Sequence, residues 1–170
     1  MYYKTNYESP LGSVTLASDG ENLVGLWFEG QKYYGGSVKN EMTQNDSVPV
    51  FADVKSWLDR YFGGERPLPS ELPLAPNGGD FRKTVWNVLL EIPYGECITY
   101  GEVAKIVAVK LGRAGMSAQA VGGAVGHNPI SVIIPCHRVV GAGGRLTGYA
   151  GGIEKKAGLL NQEQIIRTRF

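Results

Sequence analysis

Little in this chain points to a membrane, to the cell exterior or to a fibre. Two cysteines in 170 residues are too few for a disulfide scaffold, so both are expected as reduced thiols. No apolar run approaches the roughly 18 residues that span a bilayer. The first ten residues, MYYKTNYESP, have neither the basic nor the apolar region of a secretory signal. A cytoplasmic protein with no membrane partner is the expectation. Charge of one sign is scarce overall, with a net value of +1, but it is unevenly placed. Residues 1–79 hold 6 Lys and Arg against 10 Asp and Glu, and residues 80–170 hold 11 against 6. A basic C-terminal half suits a nucleic-acid partner, although such an imbalance is also common on ordinary domains. At 43% hydrophobic and 19% charged residues, the chain can bury a core. Glycine is the outlier: 24 residues, roughly twice ordinary usage.

The length suits one large domain or two small ones. Tyr2, Tyr3 and Tyr7 suit a first strand, with Ser9-Pro10-Leu11-Gly12 as its turn. Residues 14–18 and 23–28 read as a hairpin around Asp19-Gly20. Residues 30–48 read as a loop or an irregular edge. Phe51, Val54, Leu58, Tyr61 and Phe62 share a helical face that ends at Gly63-Gly64. The stretch RPLPSELPLAPNGG, with four prolines, reads as a linker. These features give an N-terminal domain over 1–65, a linker over 66–79 and a C-terminal domain over 80–170. The fold class is α/β (α+β): a small N-terminal sheet with one helix, then a mainly helical domain.

After the linker, Asp80 is placed to cap a helix with Phe81, Val85, Val88 and Leu89 inward. A second helix over about 102–110 turns Val103, Ile106, Val107 and Leu111 inward. The turn GRAGM then leads to Ser117 as a cap and to AQAVGGAVG, in a helix-turn-helix pattern. That last helix carries almost no side-chain bulk, at a cost of about 1 kcal/mol per glycine. Either something approaches its backbone closely, or it is a tightly packed core helix or a loop.

The run from Ile130 reads as an apolar strand entering Pro135, followed by Cys136 and His137 side by side. A thiolate is the strongest side-chain nucleophile near neutral pH, but a free thiol is only a few per cent ionised there. An imidazole can take its proton, through a water because sequence neighbours seldom face each other. Arg138 would favour the anion by its charge, and Glu163 could orient the imidazole. A buried, inert cysteine is the competing reading. Cys97, His127, Cys136 and His137 lack the paired short spacings of a zinc site, so neither metal nor cofactor is expected. His127 and Lys156 read as surface residues, Lys156 on a solvated helix face, and the Gly-rich run GAGGRLTGYAGG as a flexible wall over the cysteine.

The string Pro135-Cys136-His137-Arg138-Val139-Val140 resembles the active-site signature of the O6-alkylguanine-DNA alkyltransferases. Residues 99–104, 120–124, Asn128-Pro129 and 148–152 follow in that family's order, and residues 1–65 resemble its ribonuclease H-like N-terminal domain more weakly. The resemblance implies direct-reversal repair: irreversible, single-turnover transfer of an alkyl group from O6 of guanine in double-stranded DNA to Cys136, with O4 of thymine as a second substrate. It implies that His137, through a water, and Glu163 relay the thiol proton, and that Tyr100 donates to the base and helps turn it out of the stack. It further implies that the Val139 carbonyl and Ala150 N–H read the base edge, that Tyr149 lines the alkyl pocket, and that Asn128 ties the helix-turn-helix to the cysteine loop. The bare helix would enter the minor groove of a monomer's DNA partner, with Gln119, Ala120, Gly123, Arg113 and Arg138 as DNA contacts.

One position departs from the pattern. Gln119 stands where relatives often carry an arginine that fills the gap left by the flipped base. An alkyltransferase-like protein that binds the lesion without accepting the group is a rival reading, and Cys136 argues against it. A plain helix-turn-helix binder would leave the cysteine inert, and a Cys-His hydrolase would regenerate its thiol after each turnover.

Overall fold

The computed structural model describes residues 1–164, and the chain divides into two compact units. One comprises Met1–Asn77 with Pro129–Ser131; the other comprises, among the described residues, Gly78–Asn128 and 132–164.

The first unit is built on a four-stranded sheet of β1 (Tyr2–Ser9), β2 (Gly12–Ser18), β3 (Leu23–Phe28) and β4 (Met42–Gln44), in the order β3-β2-β1-β4. The β1–β2 turn forms where the sequence places it, and Ser9 Oγ donates to the Gly12 carbonyl at 2.6 Å. The β2–β3 connection is longer than the tight Asp19-Gly20 turn expected. Asp19 Oδ1 accepts from the N–H groups of Glu21 (2.9 Å) and Asn22 (2.7 Å), which stabilises a wider loop. Residues 30–48 supply an edge strand, β4, parallel to β1. Its three half-buried or exposed residues carry no alternation that would announce it.

Helix α1 (Pro49–Phe62) starts with proline at its first turn and buries Val50, Phe51, Val54, Trp57, Leu58 and Tyr61. The Pro-rich stretch does more than link. Leu23 N–H donates to the Pro73 carbonyl and Ala75 N–H to the Leu23 carbonyl, both at 2.8 Å, so it lies as an extended strip along β3. Proline is tolerated in such a strip because it removes only donors an edge can spare. Leu26 pairs in turn with residues 129–131, through its N–H to the Pro129 carbonyl (2.8 Å) and its carbonyl to Ser131 N–H (3.0 Å). Every residue of β3 is buried as a result.

The second unit holds α2 (Asp80–Leu90), β5 (Ile98–Thr99), α3 (Tyr100–Lys110), α4 (Ala118–Gly126), β6 (Val139–Val140) and α5 (Ile153–Gln162), with β5 and β6 paired in parallel. Four expectations change here. Gly79, not Asp80, is the cap of α2; Asp80 is its first helical residue and acts on the helix dipole instead. The inward face of α2 includes Trp86, while Phe81 is only half-buried. Helix α3 begins at Tyr100 because Thr99 and Glu102 form a reciprocal capping box, with Thr99 Oγ1 accepting from Glu102 N–H at 3.1 Å. This start turns Ala104 and Ala108 inward beside Val103 and Val107 and leaves Ile106 40% exposed. Ser117 caps α4 as expected, accepting from Ala120 N–H at 3.0 Å. The apolar run before the cysteine is a buried turn, not a strand: only Ile130 forms a bridge, and Val132 has φ of 70°.

Candidate active site

Positive φ at a β-branched residue is costly and persists only where the surroundings fix it. The turn around Val132 is closed by Asn128, a buried side chain just past α4 whose Nδ2 donates to the Ile134 carbonyl at 2.9 Å. Cys136 N–H donates to the same carbonyl at 2.8 Å. The expected tie between α4 and the cysteine loop is therefore present as a hydrogen bond. Cys136, 4% exposed, opens a single 3₁₀ turn, Cys136–Arg138.

Burial pushes the Cys136 thiol above its ordinary pKa, so the sulfur rests protonated. Asn128, the charge of Lys156 and Tyr149 act in the opposite direction. His137 is completely buried, and its Nε2 lies 2.6 Å from Glu163 Oε2. Its Nδ1 is buried with no hydrogen-bond partner among the described residues. Burial holds this imidazole below the ordinary histidine pKa, so it is neutral, and the Nε2–H tautomer donated to Glu163 leaves the Nδ1 lone pair for a proton. Glu163 follows α5, and its carboxylate is held far below the usual range by His137 and Arg138 against the opposing effect of burial. His137 and Glu163 are thus held together as a neutral imidazole and a carboxylate that can stabilise it once it is charged, with the Cys136 thiol on the adjoining residue.

Arg138 is a correction. The sequence suggests a DNA contact and a charge that favours the thiolate. The structure buries it at 7% exposure, with Nε and Nη2 on Glu163 at 2.8 and 3.1 Å and Nη1 on the Ile92 carbonyl at 2.6 Å. Its charge is matched by that carboxylate, which it holds from within the core. Gly95 N–H also donates to Glu163 Oε1, at 3.1 Å.

Lys156 is the second correction, and the residue whose part in the site sequence reasoning misses. It is fully buried, not on a solvated face, and its Nζ donates to the Val139 carbonyl at 2.6 Å and to the Thr147 carbonyl at 3.4 Å. A signal exists, because Lys156, Leu159, Leu160 and Glu163 repeat at helical spacing and all are buried. Tyr100, the first residue of α3, accepts from Thr147 Oγ1 at 3.3 Å, and its ring lies 5.9 Å from Lys156 Nζ. Tyr149 and Ala150 are half-buried in the segment between β6 and α5. On the outside of the unit, Gln119, Ala120 and Gly123 are exposed on α4, and Arg113 is exposed in the turn before it. His127 is half-buried, with Nδ1 2.8 Å from the Gly123 carbonyl. Among the described residues, no group of three or more His, Cys, Asp or Glu is placed to hold a metal ion, and no helix is long and apolar enough to cross a membrane.

Two family models match the chain. Residues 1–76 match the ribonuclease-like domain of 6-O-methylguanine DNA methyltransferase, and residues 80–165 match its DNA-binding domain. The chain belongs to this family. Among its relatives, the methylated-DNA--protein-cysteine methyltransferase of Haemophilus influenzae is 44% identical over 96% of this chain and 87% of its own length. That of Methanosarcina acetivorans is 46% identical over 96% and 98%. The crystal structure of the Mycobacterium tuberculosis O6-methylguanine methyltransferase superposes with a TM-score of 0.82 at 40% identity, covering 100% of this chain and 95% of that one. A structure of the Mycobacterium tuberculosis protein in complex with DNA gives 0.81 at 40% identity, over 96% and 92%. The mixed α/β architecture of this methyltransferase family member agrees with the class expected from sequence.

Proposed function

We infer that this chain repairs DNA by direct reversal, moving a methyl group from O6 of guanine onto Cys136 once per molecule. The observation that carries this reading is the buried Cys136 beside the His137–Glu163 pair, within a chain of the methyltransferase family. The thiol proton passes through a water to His137 Nδ1, and Glu163 stabilises the imidazolium that forms. The thiolate attacks the methyl carbon in line; the S–C bond forms as the C–O6 bond breaks, and the electron pair leaves with guanine. Tyr100 donates a hydrogen bond to the departing base, which then regains a proton. Val139 and Ala150 hold the base edge through backbone groups, and Tyr149 lines the space for the alkyl group. Nothing in this sequence of steps restores the thiol.

In-line attack requires the lesion to leave the duplex stack. The α3–turn–α4 segment acts as a helix-turn-helix whose α4 lies in the minor groove, with Gln119, Ala120 and Gly123 toward DNA and Arg113 on a phosphate. A specific feature of α4 supports this. Beyond the helix's own backbone, a Cβ on Gly123 or Gly126 would meet no atom of the described residues within 4 Å, so packing does not demand glycine at either position. Close approach of another molecule explains their absence of side chains. One copy of the chain carries every residue these steps use.

The test is intact mass after mixing with excess duplex DNA containing O6-methylguanine, with Cys136→Ser alongside. Addition of one methyl to the wild type and none to the variant is expected. An unchanged mass with the oligonucleotide still bound would make the protein a lesion binder instead.

A further inference from the structure

The connection between α2 and β5 has the form of a plain turn, yet its residues converge on the buried carboxylate of Glu163. Glu96 N–H donates to the Pro93 carbonyl at 3.2 Å and closes a turn in which Gly95 has φ of 83°. A positive φ at the third position of a turn calls for glycine. From there Gly95 N–H reaches Glu163 Oε1 at 3.1 Å. Tyr94, half-buried, donates from Oη to the carbonyl of Gln162 at 3.1 Å, the last residue of α5 and the one before Glu163. Its ring centroid lies 5.8 Å from the guanidinium carbon of Arg138, within range of a cation–π contact. Ile92, at the start of the same connection, accepts from Arg138 Nη1 at 2.6 Å. Joining α2 to β5 requires none of these contacts.

We propose that Tyr94 is a positioning residue for the thiol-proton relay, holding Arg138 and Glu163 in the arrangement that keeps a carboxylate oxygen on His137 Nε2. This proposal rests on the function inferred above. Glu163 Oε1 accepts from Arg138 Nε and Gly95 N–H, and Oε2 accepts from His137 Nε2 and Arg138 Nη2. A carboxylate offers about four acceptor positions, so His137 and Arg138 compete for one group. Arg138 is the permanent charge, whereas the buried imidazole is neutral at rest. Left to itself, the guanidinium would take both oxygens in a symmetric fork and draw Oε2 away from the imidazole. The Tyr94 ring packs against the guanidinium and the Ile92 carbonyl takes Nη1, and both oppose that pull. The Tyr94 hydroxyl acts on the other partner, because it fixes the backbone from which the carboxylate projects. The 2.6 Å contact must already be in place when the imidazolium forms, so small displacements at Glu163 slow the proton transfer.

The experiment compares wild type, Tyr94→Phe and Tyr94→Leu by two readings. One is the exchange with water of the His137 Nε2 proton, followed by NMR of protein labelled with ¹⁵N-histidine. The other is the single-turnover transfer rate from saturating duplex DNA containing O6-methylguanine. Tyr94→Phe removes the hydroxyl alone and is expected to speed exchange and slow transfer by about threefold each, the scale of one hydrogen bond. Tyr94→Leu also removes the ring and is expected to change both by about tenfold or more. Affinity for the same DNA is expected to stay at the wild-type value, a split between binding and rate that a general loss of structure would not give. Unchanged exchange in Tyr94→Leu, or faster exchange with an unchanged transfer rate, would overturn the proposal. Should Tyr94→Leu fail to fold, Tyr94→Phe, which lacks only one oxygen atom, decides by the same two readings. A wild type that transfers nothing overturns the inferred function instead, a result the variants cannot mimic.

Discussion

Glu163 Oε2 lies 2.6 Å from His137 Nε2, across 26 residues of chain and with both side chains fully buried. One contact settles which ring nitrogen carries the proton at rest and which is left to act as a base. It also ties the residue after α5 to the turn that carries the cysteine.

Glu163→Gln tests that contact. A glutamine keeps the shape but leaves the buried Arg138 guanidinium without a countercharge and the imidazolium without stabilisation. Transfer should slow by about 100-fold or more, the usual scale for a lost acid–base partner. Unfolding free energy should fall by about 3–5 kcal/mol, the scale for breaking a buried pair from one side. Urea unfolding and single-turnover kinetics measure both, and a loss of stability with an unchanged rate would make Glu163 purely structural.

Acid should weaken the fold in two stages. Burial holds His137 below its ordinary pKa, so as pH falls below about 6.5 the unfolded chain takes up a proton that the folded one refuses. Glu163 is likewise depressed in the fold, so its contribution is complete above about 4.3 and is lost as pH falls from there toward the folded value. The urea midpoint should therefore decline from pH 7 to 5 and more steeply below 4.5. A midpoint flat from pH 7.5 to 4 would contradict both assignments.

Gly123→Ala separates folding from DNA recognition. Beyond its own helix, an added Cβ meets none of the described residues within 4 Å, so the variant should gain roughly 0.5–1 kcal/mol from helix propensity. Affinity for duplex DNA should drop at least fivefold if α4 lies against a groove. Unchanged binding, measured by fluorescence anisotropy, would place the DNA elsewhere.

Gln119→Arg addresses the departure from the family's pattern. Residue 119 is exposed at the second position of α4, with room for a longer cation. Faster repair of duplex DNA is expected, with a smaller gain on single strands, where no gap is left to fill. An unchanged duplex rate would show that glutamine is an adequate substitute.

Much of this molecule is legible in local sequence, and what escapes has a common cause. The first three strands, α1, the Ser117 cap and the Cys136-His137 pair announce themselves through periodicity, capping chemistry or adjacency. Arg138 and Lys156 are misplaced by sequence because a cation reads as exposed until its partners are known, and those partners lie 25 and 17 residues away. The turn at residues 131–134 reads as a strand because a buried apolar run looks alike in either form; the Asn128 side chain, which caps its last carbonyl, decides between them. Asp80 loses the cap position to Gly79 by a single residue, a shift that propensity alone does not resolve.

Helix α4 has a bare outer face, and its glycines withhold roughly 3 kcal/mol of intrinsic helix stability relative to alanine. Its shape is held from behind: Trp86 Nε1 donates to the Ala124 carbonyl at 2.9 Å, and Val121, Ala124 and Val125 are buried. A helix supported in this way should open locally before the rest of the unit does. On warming, recognition would then fail ahead of global melting, so that the thiol and its relay remain assembled in a protein that has already lost its grip on DNA. Amide exchange in α4 would report the heat tolerance of repair more faithfully than the melting temperature.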